Sequence, residues 1–129
     1  MNKNAFTLVE LMIVVVIVGI LTSLAIPNFT AAKEKTLDKE AIAAMHLIKV
    51  AERQYRLATN LYWPTTAVTN TNINQINGNL SLLLSSSNWV YEVRGAAGGA
   101  TFRARATRLG RNWTINNTLI DPLCSGACY

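Results

Sequence analysis

The sequence predicts an α+β fold, in which a long bent N-terminal helix packs on a small antiparallel sheet of three to four strands. Three patterns support this: an almost unbroken apolar run, a one-sided apolar stripe that follows it, and period-two alternation near the end of the chain. We divide the chain accordingly into five parts: residues 1–5, an apolar helix over 6–27, an amphipathic helix over 28–59, a connecting loop over 60–88 and a sheet head with its tail over 89–129.

The apolar run is long enough to cross a membrane. A helix over residues 6–26 measures about 31 Å, close to the hydrocarbon thickness of a bilayer. Glu10 lies near its start, where a carboxylate costs at least about 2–3 kcal/mol unless it is paired or functional. Pro27 ends the run and removes one backbone hydrogen bond, so we expect a kink or break there, with Gly19 as a second weak point.

The next helix is predicted to be apolar on one side only. Its stripe repeats at steps of three and four and consists of Leu37, Ala41, Ala44, Ile48, Ala51 and Tyr55, widened by Ile42, Met45, Leu47 and Val50. Asn60 is a suitable C-cap, and Pro64 prevents the helix from continuing. We expect the stripe to lie on the sheet, and the loop that follows to contain a short helical turn at 80–84.

Three strand-like runs follow the loop. In the first run, every second residue is apolar and is expected to face the core: Trp89, Tyr91 and Val93. In the second run, the same alternation begins with Phe102 and Ala104. The third run, residues 113–116, alternates in the same way. Because glycine-rich turns separate the runs, the pattern indicates an antiparallel meander with one covered face.

The charge pattern identifies one basic surface and no catalytic group. The formal net charge is +5, and the chain has a single histidine. Arg103 and Arg105 share one face of the middle predicted strand, and Arg94, Arg108 and Arg111 lie at nearby strand ends. This face suits nucleic acid or another anionic surface, but it is also typical of a solvated sheet face. No serine elbow, phosphate loop or paired carboxylates accompany it, so we expect neither an enzyme nor a bound cofactor.

The two cysteines are close together in sequence. Cys124 and Cys128 can close a small disulfide ring if the head is exported, which contributes about 2 kcal/mol by the loop-closure relation. A metal site would need further ligands, and His46 is far away along the predicted helix.

Three interpretations of the N-terminus compete. The first is a secretory signal cleaved after Ala25, and the second is a plain membrane anchor. Neither gives Glu10 a role. In the third, the short, polar, basic stretch MNKNA is the removable part, and Phe6 stands directly at the start of the apolar run.

This third arrangement resembles the class III signal of type IV pilins and of the pseudopilins of type II secretion systems. The match rests on FTLVE, residues 6–10, and on Gly19 and Pro27. The resemblance implies that residues 1–5 are a leader peptide, that prepilin peptidase cleaves between Ala5 and Phe6, and that Phe6 is N-methylated. It also implies a precursor in the bacterial inner membrane and then a helical homopolymer, built by pilus assembly machinery, as an extracellular or periplasmic filament.

Two residues depart from the family pattern. Ala5 stands where the family nearly always has Gly. The tail has one acid, Asp121, so the calcium site of major pseudopilins is not carried over and no metal is expected.

Under this resemblance, Glu10 is an assembly residue. Cleavage after Ala5 creates an amine on Phe6, and Glu10 can neutralise that amine in its own chain or in the adjacent subunit. The sequence leaves open whether the chain is a major pilin or a pseudopilin. The alternative is an exported or membrane-tethered binding domain whose apolar segment is only a signal or anchor.

Overall fold

The computed structural model describes residues 6–129, with the side chains of all of these except residues 24–28. The predicted leader, residues 1–5, lies outside this range, as does the side chain of Pro27. The chain forms two compact units, Met1–Glu34 and Lys35–Tyr129. The second unit, which includes the predicted sheet, is called the head from here on.

One long helix, α1, runs from Leu8 to Thr59. It passes Pro27 without interruption, so the expected break is absent, because proline removes one hydrogen bond and the turns on both sides keep theirs. Its end matches the prediction: Asn60 adopts a left-handed φ of 61°, and its N–H donates to the carbonyl of Arg56 at 2.7 Å.

No helical segment with described side chains is both long and apolar enough to cross a membrane. The transmembrane segment expected over 6–27 therefore remains a prediction.

The second unit contains a five-stranded antiparallel meander, one or two strands more than predicted. Its strands, in both chain order and spatial order, are β1 (Thr69–Asn70), β2 (Val90–Gly95), β3 (Phe102–Arg108), β4 (Arg111–Asn116) and β5 (Leu123–Ser125). The three predicted runs correspond to β2, β3 and β4. The connecting segment holds a helix, α2, at Ile73–Leu80 rather than a turn at 80–84, and a 3₁₀ turn at Ala97–Gly99 joins β2 to β3.

The core of this unit lies between the inner sheet face and the part of α1 that begins at residue 35. The predicted faces are confirmed for the buried residues Trp89, Tyr91, Val93, Phe102, Ala104, Ala106 and Ile115. The stripe of α1 is buried as expected, with Tyr55 partly so. Leu47 and Val50 are about half exposed, however, so the predicted widening of the stripe was wrong at these two positions. The sheet covers only one side of the helix.

Candidate assembly site

The start of α1 is closed by a reciprocal pair, Thr7 and Glu10. The backbone N–H and the hydroxyl of Thr7 donate to Oε2 of Glu10 at 2.9 and 2.8 Å, and the N–H of Glu10 donates back to the Thr7 hydroxyl at 3.2 Å. This is a capping box, which satisfies backbone donors that a helix start otherwise leaves unpaired. Glu10 therefore has a structural partner in its own chain, and the T-x-x-E spacing was the signal for it in the sequence.

Beyond this cap, α1 presents apolar side chains in every direction. The large hydrophobic residues from Phe6 to Leu21 are all at least half exposed. An apolar surface of this extent is typical of a protein or lipid contact rather than of solvent.

The predicted weak segment of α1 is helical, and two hydroxyls bond back to its carbonyls. The Thr22 hydroxyl donates to the carbonyl oxygens of Val18 and Gly19 at 2.8 and 3.0 Å, and the Ser23 hydroxyl donates to Ile20 at 2.7 Å. A Cβ at Gly19 would meet nothing within 4 Å, so no contact in this chain requires glycine there. Hydroxyls bonded in this way slightly weaken a helix, which agrees with a deformable segment but does not test the role expected for Gly19 and Pro27.

The arginines of the sheet are in three different environments. Arg105 is paired with Glu92, its direct neighbour on β2, through Nη2 and Nε at 2.6 and 2.8 Å from Oε1. Arg103 is exposed and lies directly opposite Arg94, another exposed arginine. Arg108 is partly buried opposite Arg111. The predicted basic face is thus narrower than expected, and the proposed contact of Arg103, Arg105 and Arg108 with nucleic acid stays a prediction.

Arg111 belongs to the core and not to the basic face where the sequence pattern had put it. Its Nη1 lies 2.9 Å from Oδ1 of Asp38, and both side chains are almost fully buried. Its guanidinium also lies over the rings of Trp89 and Tyr129, 5.5 and 5.4 Å from their centroids. Oδ2 of Asp38 accepts the N–H of Tyr129 at 2.9 Å. Asp38 therefore ties α1 to both β4 and the tail.

A second acid of α1 is buried without a cation. Glu52 is fully buried, and its Oε2 accepts the N–H of Trp63 at 2.9 Å, while Oε1 has no partner among the described residues. Burial raises the pKa of Glu52 to about 8, against an opposing effect of the Trp63 hydrogen bond. Its carboxyl group is thus largely protonated at neutral pH and holds the loop after α1.

The tail carries the predicted cysteine pair. The structure joins Cys124, on β5, to Cys128, and their Cα atoms are 6.5 Å apart. This separation is within the range that a disulfide spans. Formation of the bond in the exported protein stays a prediction.

Of the predicted site residues, the structure joins the two cysteines in the tail, and it places Phe6 and Glu10 near the start of α1, where Glu10 is bound to Thr7. Ala5 lies outside the described residues. Sequence reasoning missed Thr7 as the cap partner, and it missed Asp38 and Glu52. Only Thr7 had a local signal.

Comparison with known proteins bears on this helix start. Residues 1–26 match the family model described as the prokaryotic N-terminal methylation motif. The chain is 42% identical over 65 residues to "Type II secretion system core protein G" of Aeromonas hydrophila, and 28% identical over 106 residues to "Type IV wide pilus major component PilA4" of Thermus thermophilus. The chain is thus similar to type II secretion pseudopilins over about half of its length and to a type IV pilin over most of it.

The two matches differ in extent. The match to the Aeromonas pseudopilin covers 50% of this chain and 45% of that protein, and a similar match to the Escherichia coli K12 core protein G covers 44% of it at 39% identity. The chain thus aligns with less than half the length of these relatives. The match to the Thermus pilin covers 80% of this chain and 81% of the relative. No solved structure is significantly similar to this pilin-like chain.

Proposed function

We propose that the chain is a structural subunit of a type IV pilus-like filament that polymerises through its N-terminal helix. The observation that carries this proposal is the exposed apolar surface of α1, which begins directly after a capped, acid-containing helix start. A subunit with such a surface needs lipid before assembly and other subunits afterwards. The precursor is accordingly held in the inner membrane, and pilus assembly machinery transfers it into the filament.

Processing is the first step of the proposal. Prepilin peptidase cleaves between Ala5 and Phe6, and Phe6 is then N-methylated. The match of residues 1–26 to the N-terminal methylation motif supports this step. Cleavage leaves Thr7 and Glu10 in the mature chain, so the capping box survives it.

The two carboxylate oxygens of Glu10 have different roles in the proposed subunit. Oε2 accepts both bonds from Thr7, whereas Oε1 has no bond within the described part of the chain. A carboxylate accepts about four hydrogen bonds, so Oε1 is available to the charged amine of Phe6 in the adjacent subunit. Pairing of these two charges in an apolar surrounding fixes the axial position of each new subunit.

The cap and the charge of Glu10 can be tested separately. Glu10→Gln keeps the capping box, because glutamine also serves at this position, but it cannot neutralise the amine. Thr7→Ala removes the cap and keeps the carboxylate. We expect Glu10→Gln and Glu10→Ala to lower filament yield by about 100-fold or more, since an unpaired charge in an apolar core costs about 3–5 kcal/mol, and Thr7→Ala to retain most of the yield.

Filament yield is measured by electron microscopy and immunoblotting of sheared cells, normalised to the subunit in the membrane fraction. Normal yield from Glu10→Gln would refute the proposed pairing. Intact mass of the mature protein tests the processing step. A start at methylated Phe6 supports a filament subunit, a start at Ile26 indicates ordinary secretion, and an uncut chain indicates a tether.

A deletion strain distinguishes a filament that serves protein secretion from a long surface pilus. Names of relatives include both a secretion system component and a wide-pilus component. We favour a pseudopilin of a type II secretion system, on the basis of the small head and short loops. Loss of extracellular enzymes in a deletion strain, without loss of surface fibres, supports this choice. Long surface fibres at native expression would instead indicate a major pilin.

A further inference from the structure

The head has an open cleft on its outer sheet face that carries two adjacent arginines. The cleft measures about 650 Å³ and includes Arg94, Arg103, Ala67, Ala96, Ala97 and Asn117 among its lining residues. Arg94 and Arg103 face each other directly across β2 and β3. Like charges in that position destabilise a sheet unless an anion compensates them.

No anion compensates these two arginines within the described part of the subunit. Neither Arg94 nor Arg103 contacts a carboxylate among residues 6–129. Their neighbours in the same row across the sheet are Thr69 and Asn116, which are uncharged. The next row shows the contrast, since Arg105 there is bound to Glu92. The cleft therefore combines small apolar walls with a local excess of positive charge.

The head also has an exposed projection of the opposite character. Ile120 is 81% exposed, and the side chain of the adjacent Asp121 is 80% exposed. The carboxylate of Asp121 lies 3.6 Å from Nε2 of His46, which is charged only when protonated. We call Ile120 and Asp121 the knob: one branched apolar side chain next to one carboxylate.

Two side chains, those of Lys49 and Asn116, bind the backbone of the loop that carries the knob. The Lys49 ammonium, which is nearly buried on α1, donates to the carbonyl oxygens of Leu119 and Ile120. At the other end of the loop, Oδ1 of Asn116 accepts the N–H groups of Thr118 and Leu119 at 2.9 and 2.8 Å. A projection fixed in this way loses little conformational entropy when it binds.

The knob also carries the head's one exposed acid. The acids of residues 35–129 are Asp38, Glu40, Glu52, Glu92 and Asp121. The first four are buried or half-buried, and only Asp121 is exposed among these described residues. Among the acidic side chains of residues 35–129, the knob thus offers a neighbouring subunit the one that is exposed.

We propose that the knob of one subunit inserts into the arginine cleft of the next. Asp121 then pairs with Arg94 and Arg103, and Ile120 contacts the alanine walls. The contact joins two different surfaces, and a heterologous contact of this kind generates an open helical polymer when it does not close into a ring. This inference rests on the proposed filament function and adds a head-to-head contact to the helix contact.

A nucleic acid is a poorer occupant of the same cleft. Binding to a phosphate backbone relies on an extended track of several cations. Here two uncompensated arginines lie between uncharged neighbours, and the next arginine is neutralised by Glu92. One carboxylate with an apolar neighbour fits this short site better.

The test exchanges the charges of the two surfaces in the full chain, expressed in cells with the assembly machinery. Arg103→Glu and Asp121→Arg are each expected to lower filament yield by about tenfold or more, because like charges then meet. The combination Arg103→Glu/Asp121→Arg is expected to restore at least half of the wild-type yield. Arg53→Glu is the matched control, since it makes the same charge change at an exposed position of α1 outside the cleft.

Ile120→Ser tests the apolar half of the contact without a charge change, and we expect a severalfold lower yield. The side chains of Arg103, Ile120 and Asp121 are exposed, so these substitutions leave the core intact. If the wild type forms filaments and Arg103→Glu gives a normal yield, the knob contact is refuted while the proposed filament function stands. Loss of yield in both single variants without rescue in the combination would exclude Asp121 as the occupant and indicate another anionic ligand. Absence of filaments from the wild type would overturn the proposed function and this inference together.

Discussion

Replacing Glu52 with glutamine should remove most of the pH dependence of head stability between about pH 5 and pH 8. The carboxyl group is fully buried, and its one hydrogen-bond donor among the described residues is the N–H of Trp63. The two nearby cations on the same helix have other partners. Lys49 donates to the carbonyl oxygen of Leu119, and Arg56 donates to the Tyr62 hydroxyl. Neither cation lowers the pKa of Glu52. Burial therefore dominates and favours the neutral acid.

The sign and size follow from proton linkage. The pKa of Glu52 is about 8 in the folded chain, against an ordinary value of 4.5. Between these two values the folded state holds a proton that the unfolded state has lost, so the free energy of unfolding decreases as pH rises. The stabilisation is complete below pH 4.5 and is lost as pH passes through about 8. At about 1.4 kcal/mol per pH unit the total reaches about 5 kcal/mol.

The assay is denaturant unfolding of the full chain in a neutral detergent, followed by tryptophan fluorescence. All three tryptophans lie in the head, at positions 63, 89 and 113, so the signal reports on that unit. Glutamine keeps an acceptor for the Trp63 N–H and cannot ionise. Glu40→Gln is the control, because Glu40 is a half-buried acid on the same helix that accepts a hydrogen bond from Asn88 at 2.9 Å. Equal pH dependence in wild type and Glu52→Gln would refute the reasoning.

Two further predictions concern packing in the head. Asp38→Ala leaves the buried Arg111 guanidinium without its carboxylate and should lower the free energy of unfolding by about 3–5 kcal/mol. The control Glu40→Ala should lower it by under about 1 kcal/mol. Similar losses in the two variants would argue against a special role for the buried pair. Gly95→Ala should destabilise the head by about 3 kcal/mol, because the added Cβ would lie 1.8 Å from the carbonyl oxygen of Pro64. Gly78→Ala, in α2, should be neutral or stabilising, because the added Cβ there meets nothing within 4 Å. Thermal unfolding of the four variants measures both, and a Gly95→Ala chain as stable as Gly78→Ala would contradict the second.

Local patterns in the sequence are sufficient to predict the long helix, the residue at which it ends and the three central strands. The period of the α1 stripe and the alternation of β2 and β3 each extend over many residues, so chance matches are rare. The left-handed Asn60 likewise has a local cause. Leu47 and Val50 were misplaced because a helical period gives the direction of the buried face but not its width, which depends on the sheet.

The missed elements have no long pattern. β1 and β5 contain two and three residues, too few for an alternation to be recognised. The helix α2 is rich in asparagine, and its start depends on Asn72, whose side chain accepts the N–H groups of Asn74 and Gln75. Such residues also occur in turns, so the segment was predicted as loop.

The buried charges could not be predicted for a different reason. Asp38 and Arg111 are 73 positions apart, and nothing near either residue identifies the other. In sequence both fit a solvated surface, as acidic and basic residues usually do. Their pairing exists only because α1 packs on the sheet, which brings β4 beside the helix.

The full or partial burial of four of the five acidic side chains in the head explains how the basic surface and the proposed contact are related. Asp38 and Glu52 hold the tail and the loop after α1, so their buried carboxyl groups are unavailable to partners. Arg94 and Arg103 bind no carboxylate among the described residues, and the head surface is basic because only one of the head's acidic side chains, Asp121, is exposed. A polymer of such subunits accumulates positive charge with each addition. Insertion of the knob offsets two arginines with Asp121 at each step, and Lys49 keeps the knob in position from within the core.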